Sequence, residues 1–260
     1  RKSIGMKSFF RQWQAMQRFK RLPAAQRSIV FYSEGRNYWV HLEPIIQHLL
    51  DDHDRTICYL SSSADDPGLH MDDPRVLPFL IGDGTVRTTL FRTQRAGVVI
   101  MTMPDLETYH IKRSAYGAHY IFVHHSAASS HMVYRKDAFT HFDTIFCVGP
   151  HHNAETRRAE EVFGLPAKTL FNHGYGRLDA IVANAPERPK GASGAPYRIL
   201  IAPSWPGDNG SGMLETLGAG VIEPFLAAGH RVTLRPHPLT RRNSPRLMAE
   251  LVQTFSADNR

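Results

Sequence analysis

The chain has 260 residues, of which 42% are hydrophobic and 21% are charged, a composition that excludes a disordered protein. Its net charge of +7 comes from one end: residues 1–28 hold eight Lys or Arg and no Asp or Glu, and the other 232 residues carry −1. A nucleic-acid-binding domain spreads its basic residues over a folded surface, so this distribution argues against a nucleic-acid partner.

Residues 1–28 are predicted to form a basic amphipathic leader. Phe9, Trp13, Met16 and Phe19 recur at close to the 3.6-residue period of a helix, between basic flanks. Such a helix can lie on an anionic membrane surface. It can also pack its aromatic face against its own domain, and the sequence leaves both alternatives open.

The sequence contains few features that indicate a cellular location. No apolar run is long enough to span a bilayer, and no N-terminal stretch has the pattern of a secretory signal. Cys58 and Cys147 lie in apolar β-like runs and are predicted to be buried, reduced thiols. We therefore expect a cytoplasmic protein, in solution or peripheral on the inner face of the cell membrane.

Residues 29–185 alternate short apolar runs with helical stretches. The runs are apolar throughout, which is typical of parallel strands covered by helices on both faces. The predicted strands are 28–32, 55–60, 76–81, 97–103, 120–125 and 144–148, and the predicted helices include 41–50 and 151–163. In the second helix, four apolar residues are expected to face the sheet: Ala154, Ala159, Val162 and Phe163. Three polar residues are expected to face solvent: Asn153, Glu155 and Arg158.

A linker rich in proline and glycine is predicted at 186–196, and the alternation restarts at 197–260. There we expect strands 197–202 and 231–235 and helices 213–228 and 246–255. The pattern predicts an α/β protein with two Rossmann-like, doubly wound domains, the second incomplete. Ligands of open α/β sheets bind beyond the carboxyl ends of the strands. Two such domains with facing ligand loops form the plan of the GT-B glycosyltransferase fold.

The chain is rich in histidine, with 15 residues, but none is in a zinc-site spacing, so no metal site is predicted. His124 ends an apolar strand, where a catalytic residue belongs, and can act as a proton acceptor near neutral pH. Ser126 opens a run of small and hydroxyl residues that can approach an anion. The alternative is a surface histidine beside a solvated loop.

The second predicted domain offers further candidates. His237 lies between two prolines that fix the backbone, directly after a strand, and Arg235 adds a planar cation suited to phosphate. Ser204 and Trp205 follow the other strand, where the indole can stack on a base or pack internally. Near the end of the first domain, Gly176 and Arg177 lie in a glycine-rich turn.

In this order, the motifs resemble the CDP-glycerol glycerophosphotransferase family, whose members prime or polymerise the glycerol-phosphate chains of teichoic acids. The family's Trp-His-Gly-Thr corresponds to residues 123–126, with His124 at the histidine position. Its Gly-x-Pro-Arg-x-Asp corresponds to 174–179, with Gly176 in place of proline. Its Ala-Pro-Thr-Trp-like and His-Pro motifs correspond to 202–205 and 237–238.

The resemblance implies a transferase that moves glycerol phosphate, or a related polyol phosphate, from CDP-glycerol to a hydroxyl of a cell-envelope glycan or lipid-linked acceptor. CMP leaves, and no metal or cofactor is required. His124 is the expected general base, and His237 is expected to neutralise charge on the pyrophosphate. The candidate donor- or phosphate-binding residues are Arg235, Ser204, Trp205, Gly176, Arg177 and Ser126.

The departures from the family pattern also carry expectations. Val123 and His125 replace the family's Trp and Gly, so we expect an outlying subfamily with a different acceptor. A later Thr-Asp-Tyr-Ser-Ser-type segment of the family is expected beyond residue 260. Two alternatives remain open: a GT-B glycosyltransferase with a nucleotide-sugar donor, and a non-catalytic nucleotide-binding protein at the membrane.

Overall fold

The computed structural model describes residues 2–185, 196–205 and 212–256. The chain divides into two compact units, Arg1–Ala185 and Pro186–Arg260. Nearly all of the predicted linker, residues 186–195, lies outside the described residues.

The first unit contains a seven-stranded, wholly parallel sheet. Its strands are β1 Ile29–Ser33, β2 Ile57–Ser61, β3 Val76–Leu80, β4 Val98–Met101, β5 His119–Val123, β6 Thr144–Cys147 and β7 Thr169–Asn172. Its helices are α1 Lys2–Arg21, α2 Arg36–Asp51, α3 Thr85–Thr93, α4 Ser130–Val133, α5 Pro150–Phe163 and α6 Gly176–Ala183. The strand order β3-β2-β1-β4-β5-β6-β7 is that of a Rossmann-like, doubly wound domain.

The six strands predicted in this unit are confirmed, each within a few residues of its predicted ends. The seventh, β7, was not predicted because it lacks a buried apolar run: it lies at the sheet edge, and Phe171 within it is exposed. Neighbouring residues of β1 enter separate cores, Tyr32 on one face of the sheet and Phe31 on the other. Both faces are therefore covered, as the unbroken apolar runs predict. Cys58 and Cys147 are buried free thiols.

Helix α1 packs on its own unit through its C-terminal half. Met16 and Phe19 are buried in the core, and the Phe19 ring meets the Phe79 ring edge to face at 5.5 Å. The Arg18 guanidinium donates a hydrogen bond to the Pro78 carbonyl at 2.6 Å. Trp13, near the middle of the helix, remains exposed. None of the described helices is long and apolar enough to cross a membrane.

The predicted orientation of α5 is wrong. Its buried residues are His152 and Thr156, whereas Val162 and Phe163 are 54% and 42% exposed. The His152 ring is held by two hydrogen bonds: Nδ1 accepts from the Val148 N–H at 3.3 Å, and Nε2 contacts the Ala128 carbonyl at 2.9 Å. A histidine whose two ring nitrogens both have hydrogen-bond partners can be buried. The spacing of apolar residues in the sequence does not reveal such a histidine.

The second unit has a parallel pair of strands, β8 Arg198–Ile201 and β9 Arg231–Leu234. Its helices are α7 Met213–Leu217, α8 Glu223–Ala227, α9 Pro238–Asn243 and α10 Pro245–Phe255. Both predicted strands and the last predicted helix are confirmed. The single helix predicted over 213–228 is wrong: Gly218 leaves the helical region at φ 53°, a 3-10 turn follows, and α8 then begins with Pro224 in its first turn.

Candidate functional site

The sheet of the first unit changes direction between β1 and β4, the switch point at which open α/β sheets bind ligands. A pocket of about 350 Å³ lies there. It collects residues that follow three strands, β1, β4 and β5, together with one residue of α2 and one of α3. Its polar and aromatic lining includes Glu34, Tyr38, Arg87, Asp105, His125 and Tyr134.

His125 is the histidine that β5 directs into this pocket. Its Nε2 lies 3.3 Å from the Tyr134 hydroxyl, and its ring meets the Tyr38 ring edge to face at 5.3 Å. Its Nδ1 is buried. Burial lowers the pKa of His125, although a hydrogen bond with the Thr102 backbone opposes the shift, so the neutral ring predominates at pH 7 and offers an unshared electron pair.

His124 points the other way. It is 2% exposed, and its ring stacks on the His152 ring at 3.8 Å. Neither ring nitrogen has a hydrogen-bond partner among the residues that the structure describes. Burial, followed by the neighbouring His152 and His125, lowers its pKa to about 3. The residue placed by the motif at the catalytic position therefore lies within the protein, and its neighbour lines the pocket.

Glu34 and Arg87 bring opposite charges to the pocket. Glu34 follows β1 and is half-buried, and burial raises its pKa although Arg87 opposes the shift. One terminal guanidinium nitrogen of Arg87 donates to the Tyr32 hydroxyl at 3.0 Å, and Arg87 Nε is buried without a partner in the described chain. The pair can bind a hydroxyl or a phosphate oxygen. Glu34 follows a predicted strand, where ligand-binding loops are expected, whereas the sequence gives no signal for Arg87.

The glycine-rich turn comes close to His125 from the α6 side. The Tyr175 hydroxyl donates to the His125 carbonyl at 3.3 Å, and the Tyr175 ring stacks on His41 at 5.5 Å. Gly176 begins α6 against α2, where an added Cβ would lie 2.9 Å from Pro44 Cγ. Gly176 thus permits close helix packing, and the exposed Arg177 follows it.

Ser126 closes its own loop rather than reaching the pocket: its Oγ accepts from the Ala128 N–H at 3.2 Å. The pocket's lining does not include Ser126. Across the described ranges, no group of three or more His, Cys, Asp or Glu residues is placed to hold a metal ion.

In the second unit, the candidates follow two adjacent parallel strands and so lie at the same sheet edge. Ser204 is exposed and Trp205 half-buried after β8, and the Arg235 side chain is exposed after β9. His237 caps α9, with its Nδ1 accepting the Leu239 N–H at 3.1 Å. In the neutral ring this contact places the proton on Nε2, which makes the outer nitrogen a hydrogen-bond donor.

No protein-family model matches the chain, and no curated protein matches it. Among solved structures, that of the wall teichoic acid polymerase TagF is similar, with a TM-score of 0.52 and 13% sequence identity. The similarity covers 93% of this chain and 64% of the polymerase chain, so this chain spans less than two thirds of the polymerase. At this identity the likeness is one of fold: the chain shares a Rossmann-like α/β fold with a teichoic acid polymerase.

Proposed function

We propose that the chain belongs to a transferase that moves glycerol phosphate, or a related polyol phosphate, from CDP-glycerol to a hydroxyl of a cell-envelope glycan or lipid-linked acceptor. The observation that carries this proposal is the switch-point pocket, in which a neutral histidine faces a carboxylate and a guanidinium. The four ordered sequence motifs and the fold shared with a teichoic acid polymerase support it. The proposal includes a GT-B arrangement, with the acceptor on the first unit and the donor on the second.

In the proposed reaction, the acceptor hydroxyl enters the pocket beside His125. Its oxygen forms a bond to the glycerol-bearing phosphorus while its proton passes to a ring nitrogen of His125. The bond from that phosphorus to the bridging oxygen of the pyrophosphate breaks, and CMP leaves. We assign the proton to His125 rather than to His124 because only His125 lines the pocket.

The second unit is proposed to hold the donor. His237 Nε2 would donate to a phosphate oxygen, and Arg235 would add a permanent positive charge beside it. Ser204 and Trp205, at the same sheet edge, are proposed to contact the nucleotide. This scheme uses hydrogen bonds and fixed charges from the chain alone.

Donor specificity tests the proposal directly. The protein is incubated with CDP-glycerol, CDP-ribitol and several nucleotide sugars, and nucleotide release is measured with and without a glycan acceptor. We expect CMP from the CDP-polyols only. Release of a nucleoside diphosphate from a sugar donor would establish a glycosyltransferase instead. Binding of CDP-glycerol without any turnover would favour a non-catalytic nucleotide-binding protein.

The anionic membrane surface remains a proposed partner for residues 1–28. Phe9, Phe10 and Trp13 are exposed on α1 among Lys and Arg residues, whereas Met16 and Phe19 are core residues. Deleting the whole segment would therefore damage the fold. The sharper test is replacement of the three exposed aromatic residues by serine, followed by sedimentation with anionic vesicles; unchanged binding would reject the membrane role.

A further inference from the structure

The apolar face of α5 borders an open groove in the first unit. The groove has a volume of about 480 Å³ and lies between α5 and the segment 130–139. Its walls are mainly apolar: Tyr134, Phe139, Ala154, Ala159, Val162 and Phe163. An apolar face that a folded unit leaves open in this way marks a binding surface.

The opposite wall of the groove is held in place by Glu155. This carboxylate accepts hydrogen bonds from the Ser130 N–H at 2.7 Å, the Ser130 hydroxyl at 2.5 Å and the His131 N–H at 3.4 Å. Burial opposes its ionisation, but hydrogen bonds from Ser129, Ser130 and His131 outweigh burial and lower its pKa to about 2. Glu155 therefore shapes the groove, and its negative charge is already engaged.

Most of the other charges on the groove are also paired. Arg135 contacts Asp105 at 2.7 Å, and Arg158 contacts Glu161 at 3.0 Å. The remaining acid, Glu160, accepts from the Arg157 guanidinium at 2.7 Å. Two lysines on the groove have no direct ion pair with a described residue.

Lys136 and Lys168 form no ion pair with any residue that the structure describes. Lys136 Nζ lies over the Phe163 ring, 5.1 Å from its centroid. Lys168 is 5% exposed, and its Nζ donates to the Pro166 carbonyl at 3.3 Å. Burial lowers the pKa of Lys168, although Glu160 and Asp143 oppose the shift. Burial outweighs these two carboxylates, neither of which forms a direct ion pair with the ammonium, and a bound anion would favour its charged form.

We propose that this groove binds a single-chain lipid phosphate, with its hydrocarbon chain along the apolar face of α5 and its phosphate at Lys136 and Lys168. A phosphate monoester carries a charge of about −1.5 to −2 near pH 7, which matches two ammonium groups. Lysine is a common point-charge ligand of phosphate. The proposal does not depend on the transfer reaction.

Calorimetric titration of the protein with dodecyl phosphate, below its micelle concentration, tests the proposal. The controls are dodecyltrimethylammonium, which has the same chain and the opposite charge, and inorganic phosphate, which lacks the chain. We expect one dodecyl phosphate per chain and much weaker binding of both controls. Affinity should rise about fourfold for each methylene added to the alkyl phosphate.

Variants of groove residues test whether dodecyl phosphate binds at this groove. Lys168→Met keeps the length of the buried stem and removes the charge, and Ala159→Phe fills the groove. Each is expected to weaken dodecyl phosphate binding about tenfold or more, and Lys136→Met provides a second charge variant if Lys168→Met does not fold. The control Arg55→Met, which removes an exposed positive charge just before β2, should bind normally.

Two results would overturn the inference: equal binding of dodecyltrimethylammonium, or undiminished binding by the folded Lys168→Met and Ala159→Phe proteins. Because the titration requires no donor nucleotide, its outcome is separate from that of the transfer assay. Lipid binding without CMP release would reject only the proposed function.

Discussion

His124 and His125 are adjacent in sequence and lie in two different environments. Successive side chains at a strand end point to opposite faces of the sheet. His124 enters the layer beneath α5, where it stacks on His152 without a hydrogen-bond partner among the described residues. His125 enters the switch-point pocket beside Tyr134. The comparison shows that a sequence motif can locate a strand end beside a pocket without identifying which side chain lines that pocket.

The largest expected effect is a difference in activity between a variant of His125 and a variant of His124. His125→Gln removes the proposed proton acceptor and should lower kcat/KM for CMP release about 10²- to 10³-fold. His124→Gln, the matched control, should cost less than about tenfold because the ring does not line the pocket. The measurement is CMP release from CDP-glycerol at saturating acceptor. The reverse ranking, in folded proteins, would return the catalytic role to His124.

A second prediction concerns stability in acid. Burial lowers the pKa of His124 to about 3, so the unfolded state binds a proton that the folded state does not as the pH falls below about 6.5. Stability should therefore fall with pH between about 6.5 and 3, by up to about 1.4 kcal/mol per pH unit from this group. Urea unfolding at several pH values measures the slope.

The variant His124→Phe tests the origin of that slope. Phe122 and Phe139 surround the ring, so phenylalanine suits the site, and the acid slope should become shallower. His131→Phe, at an exposed position, should leave the slope unchanged. Equal slopes in all three proteins would show that His124 is not buried in the neutral form.

Gly176 tests the packing of α6 against α2. Gly176→Ala places a Cβ 2.9 Å from Pro44 Cγ and should destabilise the fold by about 1–3 kcal/mol through overpacking. Gly84→Ala is the control, because an added Cβ there meets nothing within 4 Å. Denaturant unfolding of both variants compares them. Similar stabilities would indicate that α6 does not pack closely on α2.

The smallest effect is expected at Tyr134. Its hydroxyl lies 3.3 Å from His125 Nε2, a long hydrogen bond, and Tyr134→Phe should lower kcat/KM about two- to tenfold. Tyr109→Phe, on an exposed ring of the same pocket, is the control. A loss as large as that of His125→Gln would mean that Tyr134 itself acts on the substrate.

The sequence predicted the strands of the first unit well, because parallel strands covered on both faces have a strong apolar signal. It missed β7, which is exposed at the sheet edge, and joined α7 to α8 across Gly218. The α5 error has a different cause. A histidine that finds two backbone partners can be buried, and such partners are set by tertiary structure.

The candidate site was only partly accessible to sequence reasoning. The end of a predicted strand identified the segment containing His124, and Glu34 also follows a predicted strand. Arg87 carries no local signal, because it reaches the pocket from the first turn of α3 and not from a loop at a strand end. The choice between His124 and His125 depends on which face of β5 is covered by α5. That information lies in contacts between segments distant in sequence.

The most direct test of the central claim is an NMR titration of the assigned imidazole nitrogens of His124 and His125 in the folded protein. We predict that His124 stays neutral from pH 8 down to about 4.5 and that its signals are insensitive to a glycan acceptor. The His125 signals should shift when the acceptor is added. Protonation of His124 near pH 6.5, together with a response of His124 but not His125 to the acceptor, would contradict the account.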